Sequence, residues 1–230
     1  MSIKPPPVIA RMLEGRVALE AAAVLAQLPM LRLRSPRGRG PVMVLPGFMM
    51  DDATTWLLRR FLNSLGYDVR GWGLGVNRGA LARLVDALVS ELRAWHTGCG
   101  ATVQLVGWSR GGMVARELAR RAPEAIGSVI TMGTPIAGGP GASSIGGWAL
   151  RSAGISPADA TRMQLARESV PIKCPVHSIY SKSDGVVAWE ASIDGHNRHA
   201  EHHEVMSSHA GMGSHPEIYV LLARILAKYC

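Results

Sequence analysis

The sequence predicts an α/β fold, with a mainly parallel sheet covered by helices on both faces. Three observations carry this. Short apolar runs alternate with stretches of helical periodicity along most of the chain, and the runs end at glycine or proline turns. One segment, VQLVGWSRGGMVARELARR from Val103 to Arg121, passes from an apolar run directly into a helical one. Alternation of this kind favours parallel strands, because each crossover helix returns the chain to the same end of the sheet.

The elements follow in order. After Pro5-Pro6-Pro7, residues 7–33 read as a helix with Leu13, Val17, Ala21, Val24, Leu25 and Leu28 as its apolar stripe, ended or kinked at Pro29. Packing on the core is the plain role for this helix. A stripe so rich in alanine also suits a membrane surface or a dimer contact. SPRGRGP, Ser35 to Pro41, is a linker by composition. PVMVLPG then supplies a buried strand ending at Pro46-Gly47, and Thr55–Leu65 a helix that stops at Gly66. YDVRGWGL is a second strand, followed by a helix over Leu81–Trp95. Val103–Gly107 and Arg110–Ala122 form the strand and helix of the segment quoted above. Ile126–Met132 is a strand running into Gly133-Thr134-Pro135. After a glycine-rich stretch, Cys174–Ser181 and His203–Met206 complete the strands. Pro216, in a favoured first-turn position, opens a last helix through Ala227. The sequence has no internal repeat.

With 230 residues, 47% hydrophobic and 18% charged, the chain suits one globular domain with a sizeable core. That single domain, 1–230, carries an N-terminal helical extension and linker over 1–40 and an insertion over 136–171. The net charge of +8 comes from arginines spread along the chain, with no basic run interleaved with aromatics, so nucleic acid is not an expected partner. Cys99, Cys174 and Cys230 are too few for a disulfide framework or a zinc site, although one pair is allowed. The start lacks a basic stretch followed by an uninterrupted apolar core, and no apolar run approaches the roughly 20 residues that cross a bilayer. A cytoplasmic location is the expectation.

Gly107-Trp108-Ser109-Arg110-Gly111 places a hydroxyl at the apex of a strand-to-helix turn. It is either a tight turn that contains serine or a mounted nucleophile. Glycines at 107 and 111 remove side chains where helix and strand must approach, and Gly112 adds clearance. Serine is a poor nucleophile alone and needs a base, which in turn needs an orienting carboxylate. Asp184, in SKSDGVV, follows a strand and lies at the same sheet edge; an Asx-turn is its plain alternative. Asp51, Asp52, Asp86, Glu91 and Asp194 are worse placed. His209, in SSHAGMGSHP, also lies at a strand's carboxyl end, with His215 as its rival before Pro216. In this arrangement neutral His209 takes the Ser109 proton and returns it to the leaving group, while Asp184 holds the tautomer.

LPGF at 45–48, GWSRGG at 107–112, Gly-Thr-Pro at 133–135, SKSDGVV at 181–187 and SSHAGMGSHP at 207–216 together resemble the α/β-hydrolase superfamily. Within it the likeness is to bacterial serine esterases and lipases of the triacylglycerol-lipase type. The resemblance spans residues 40–230. It implies a Ser109–His209–Asp184 triad on a nucleophile elbow, an acyl-enzyme intermediate, and an oxyanion hole from the backbone N–H groups of Arg110 and Phe48, with Met49 as fallback. One such donor contributes roughly 3–4 kcal/mol at the transition state. Where such lipases often have His-Gly, this chain has Pro46-Gly47, which removes a side chain able to brace the loop. Family members often have two further strands at the start, where this chain has a helix. The sheet should therefore hold about six strands, beginning at 42–46.

The insertion, with its glycines and with Ile145, Trp148, Leu150 and Ile155, reads equally as a lipase lid or a packed cap. Met49, Met50 and Met113 suit an acyl pocket or ordinary core filling. His196, His199, His202 and His203 lie within eight residues. No glutamate is framed by histidines there as in a zinc-hydrolase helix, so a solvated loop is expected, with no metal and no cofactor. The expected partner is a small acyl ester or lipid, with weak membrane-surface contact through the N-terminal helix allowed and oligomeric state open. The same machinery serves a thioesterase, amidase or acyltransferase; a catalytically silent binding protein would need a broken triad or a blocked pocket.

Overall fold

The computed structural model describes residues 3–229, with Ser152 and Ala153 described by backbone alone. Six strands form one sheet in the order β2-β1-β3-β4-β5-β6, every neighbouring pair parallel. They are β1 (Pro41–Leu45), β2 (Asp68–Gly71), β3 (Val103–Trp108), β4 (Ile126–Met132), β5 (Val176–Tyr180) and β6 (Glu201–Glu204). The helices are α1 (Val8–Met12), α2 (Val17–Arg34), α3 (Trp56–Ser64), α4 (Leu81–Cys99), α5 (Arg110–Arg121), α6 (Gly146–Ala153), α7 (Pro157–Glu168) and α8 (Pro216–Leu226).

Alternation along the strands sorts the core into two layers, because successive side chains point to opposite faces. Met43 and Leu45, Val103 and Leu105, and Val129 pack with α4 and α5 on one face. Val42 and Val44, Val106 and Trp108, and Ile130 and Met132 pack on the other with α2, α3 and α8. Burial on both faces is why these strands read as continuous apolar runs.

The departures from expectation are local. The N-terminal helix is α1 and α2 joined by a 3-10 turn over Leu13–Arg16, and it continues through Pro29 to Arg34. Pro29 faces solvent, while Val24 and Leu31 on either side of it are held in the core, so tertiary packing outweighs the proline penalty. Leu13 and Leu25 of the expected stripe are exposed, and Glu20 is buried instead. β2 ends at Gly71 because the Asp52 carboxylate takes the N–H groups of Trp72 and Gly73, each at 3.0 Å. β6 lies two residues before its expected position. EHHE has no apolar residue for a hydrophobic pattern to detect, and cross-strand pairing with His177–Tyr180 defines it instead. Cys99 and Cys174 are free thiols, burial raising that of Cys174 to about 11, and Cys230 lies outside the described residues. Among the described residues no helix is long and apolar enough to cross a membrane.

Candidate active site

Ser109 sits between β3 and α5 with φ 53° and ψ −119°, a left-handed region that non-glycine residues seldom occupy. The turn is tight enough to require its glycines. A Cβ on Gly107 would stand 2.5 Å from the Gly112 backbone, and one on Gly111 would collide with the carbonyl of Leu45. The strained residue is fastened at both backbone groups: its N–H donates to Met132 O at 2.7 Å, and its carbonyl accepts from Thr134 Oγ1 at 2.9 Å. Among the described residues Ser109 Oγ makes no hydrogen bond.

Asp184 lies on the loop after β5 and His209 on the loop after β6. Asp184 Oδ2 stands 2.6 Å from His209 Nδ1, while Oδ1 accepts from Val186 N at 2.8 Å and Val187 N at 2.7 Å. The Asx-turn and the contact with the imidazole are thus both present, one on each oxygen. Burial disfavours a charged His209, but the Asp184 carboxylate, with Glu14 behind it, outweighs that and raises its pKa above the ordinary histidine value. Two contacts bring the pair to the elbow. Trp108 Nε1 donates to His209 O at 3.1 Å. Gly133, at φ 54°, leaves the space that a Cβ would occupy 3.0 Å from both Asp184 Oδ2 and His209 Nδ1. His215 precedes α8, and its buried Nδ1 has no hydrogen-bond partner among the described residues.

In the loop after β1 the two candidate donors, Phe48 and Met49, differ in their hydrogen bonding. Met49 N–H is already donated to Asn77 O at 2.9 Å, whereas the backbone N–H groups of Phe48 and Arg110 have no partner among the described residues. Asn77, fully buried, was not anticipated. Its Nδ2 donates to Pro46 O at 2.7 Å and its backbone N–H to Met50 O at 2.7 Å, so it braces the loop that proline leaves without a side-chain brace. Gly47 brings the loop close to the elbow, since a Cβ there would lie 3.6 Å from Ser109 Cβ. Met50 packs on the core, Met113 is half-buried, and Met49 is exposed.

Two glutamates of the N-terminal segment were also missed. Glu14 Oε1 accepts from Gly185 N at 2.7 Å and His209 N at 2.9 Å, and its Oε2 accepts from Ala210 N at 2.8 Å. Glu20 accepts from the Ser208 N–H at 2.9 Å and also from the Ser208 hydroxyl. One carboxylate therefore ties the Asp184 loop to the His209 loop. The sole available signal was a lone acid, Glu20, inside an apolar alanine-rich helix.

The carboxylates passed over in the sequence have other duties. Asp51 caps the turn before α3, Asp86 pairs with Arg121, and Asp194 is buried against Arg116 at 2.7 Å. Glu168, at the end of α7, pairs with both Arg116 and Arg120. The start of the 136–171 insertion is stitched to the loop after Asp184 by Ser144 N to Val186 O and Ala188 N to Ala142 O, each 2.8 Å. Its helix α6 reaches the site through Trp148, whose ring meets Phe48 edge-on at 5.5 Å.

No protein-family model and no curated protein sequence matches the chain. Solved structures do. One described with the metagenome-derived lipolytic enzymes LipS and LipT is 16% identical, with a TM-score of 0.64, covering 85% of this chain and 95% of that one. A mature Bacillus licheniformis lipase is 15% identical, with a TM-score of 0.63, over 84% and 93% of the two chains. A deformylase from Pseudomonas putida S16 is 14% identical, with a TM-score of 0.59, over 82% and 93%. The fold is that of the α/β-hydrolases.

Proposed function

We propose that the chain is a serine hydrolase that cleaves carboxylic esters, an esterase or lipase. The observation that carries this reading is the buried Asp184–His209 pair at 2.6 Å, held against the strained turn that presents Ser109. His209 Nε2 removes the Ser109 proton as Oγ attacks the acyl carbonyl. The Phe48 and Arg110 N–H groups stabilise the oxyanion. The protonated imidazole then returns its proton to the departing alcohol, leaving an acyl-enzyme. Water, activated by neutral His209, attacks that acyl group and restores Ser109. The same steps serve an amide, and a deformylase shares the fold. The apolar Phe48–Trp148 pair beside the site suits an apolar acyl group, and the lipase neighbours support the ester reading.

Fluorophosphonate labelling with peptide mapping tests the reading. The expected result is an adduct on Ser109 in the native protein, absent in His209→Ala and retained in His215→Ala. A folded protein that takes no label, or takes it elsewhere, rejects the reading. A second reading concerns the membrane surface. Val8, Ile9, Met12 and Leu19 are each at least two-thirds exposed beside Arg11, which suits weak contact with anionic lipid. Partition into anionic vesicles that is unchanged in an Ile9→Ser/Met12→Ser variant rejects that contact.

A further inference from the structure

The histidine-rich run before β6 contains no ligand set of its own, but β5 supplies what it lacks. His177 is in register with Glu201 and Ile179 with His203, so His177, Glu201 and His203 lie on one face of two neighbouring strands. His177 is buried, His203 half-buried and Glu201 exposed. Their donor atoms close a triangle. His177 Nδ1 is 3.1 Å from His203 Nε2 and 3.5 Å from Glu201 Oε2, and the last two atoms are 3.9 Å apart. A point equidistant from these three atoms lies about 2 Å from each, which is the bond length of zinc to imidazole nitrogen and carboxylate oxygen. An imidazole–imidazole hydrogen bond accounts for the shortest edge and Lys228 holds the carboxylate nearby, but neither contact requires all three donor atoms to converge on one point.

The surroundings fit as well. Tyr229 Oη stands 2.6 Å from His177 Nε2; in the tautomer with the proton on Nε2, that nitrogen donates to the phenol oxygen and Nδ1 presents a lone pair to the triangle. An outer partner of this kind orients ligating histidines in metal sites. Lys228 Nζ, 3.0 Å from Glu201 Oε2, supplies positive charge to the same carboxylate; both side chains are half-exposed, so a cation can replace the ammonium. Exposure of Glu201 leaves an entry path and a fourth position for water.

We propose that His177, Glu201 and His203 form a zinc-class transition-metal site that fastens edge strand β6 and the C-terminal turn to β5. Two imidazoles and one carboxylate select zinc and its neighbours over calcium or magnesium, which take oxygen donors. The site lies toward the start of β5, while Asp184 lies beyond that strand's end, so its role is structural. It stands whether or not Ser109 is a nucleophile.

The test uses the full chain, stripped with a chelator and titrated with Co²⁺ and then Zn²⁺. The expected result is one equivalent of cobalt with the visible absorption of a four-coordinate site, displaced by zinc, and a higher Tm at saturating zinc. His203→Gln and Glu201→Gln, at accessible positions, should each weaken binding at least tenfold and abolish the zinc-dependent rise in Tm. Tyr229→Phe should weaken binding by about 10–100-fold, the usual range for an outer partner. Circular dichroism of the metal-free variants confirms their folding, and His196→Ala/His199→Ala should bind as the unaltered chain does. No cobalt spectrum and no zinc-dependent Tm rise in the unaltered chain overturns the proposal. So does binding that survives in His203→Gln or is lost in His196→Ala/His199→Ala.

Discussion

Two additions border the same site and are held by different physics. The N-terminal segment is tied to it by charge: Glu14 and Glu20 accept hydrogen bonds from the backbone of residues 185 and 208–210. The close approach is built in, because a Cβ on Gly185 would strike the carbonyl of Ala10. The 136–171 insertion is anchored at its roots, through Glu168 with Arg116 and Arg120 and through Gln164 Nε2 to Pro135 O at 2.9 Å. Its leading helix α6, by contrast, meets the site through one ring edge, and Trp148 remains half-exposed. Charged acceptors fix direction as well as distance, which suits loops that must hold a base and its carboxylate in register. Apolar edge contact fixes neither strongly, as the proposed reading would ask of a cover over an acyl site.

Breaking the strongest of these ties should have the largest effect. Glu168→Ala leaves Arg116, fully buried, with one carboxylate fewer and Arg120 short of a partner. A loss of about 3–5 kcal/mol in urea unfolding is expected. A loss below about 1 kcal/mol would mean that α7 is not rooted there.

Glu14→Ala strips an acceptor from three N–H groups, and a loss of about 2–4 kcal/mol is expected, with a kcat/KM at least tenfold lower. Glu14→Gln is the sharper probe. On the proposed mechanism neutral His209 is the base, so activity rises as pH increases through its raised pKa, and the acid limb should lie above about 6.5 in the unaltered chain. Removing the Glu14 charge removes one of the groups that raise that pKa, so the limb should move to lower pH. A purely structural Glu14 would lower activity and leave the limb in place.

Gly185→Ala should cost about 1–3 kcal/mol through overpacking against Ala10. Its activity should fall in step, since the shift passes to the Asp184 loop. Trp148→Ala marks the small end of the series, with stability changing by no more than about 0.5 kcal/mol. A kcat/KM that changes several-fold for long acyl chains and little for short ones would assign α6 to substrate contact. Equal changes across the chain-length series would assign it to packing alone.

The six strands and the residues at the carboxyl ends of β3, β5 and β6 were legible because apolar runs and glycine turns are local signals. β6 itself was misplaced by two residues, since EHHE is held by its neighbour's register and by charge. Asn77, Glu14 and Glu20 were not legible at all. Each acts on backbone groups far along the chain, and no local pattern distinguishes an asparagine that braces a loop from one that ends a turn. The same holds for His177, whose partners lie a strand away. The expected stripe on the N-terminal helix held at Val24 and Leu28 but not at Leu13 or Leu25. The reason is related: part of its inner face carries a glutamate because what it covers there is backbone N–H.

The Glu14 clamp also bears on the order in which the molecule is completed. Its partners lie 171, 195 and 196 residues downstream. The β1–α5 half, with the turn at Ser109, depends mostly on nearer contacts and can form while the chain is still being made. The loop bearing His209 cannot be locked until residues near the end emerge and the first helix docks on them. Closure of so distant a contact is entropically slow. The Ser109 turn is therefore expected to order before the loop that bears His209, and a chain cut short before residue 209 would carry the turn without its proposed base.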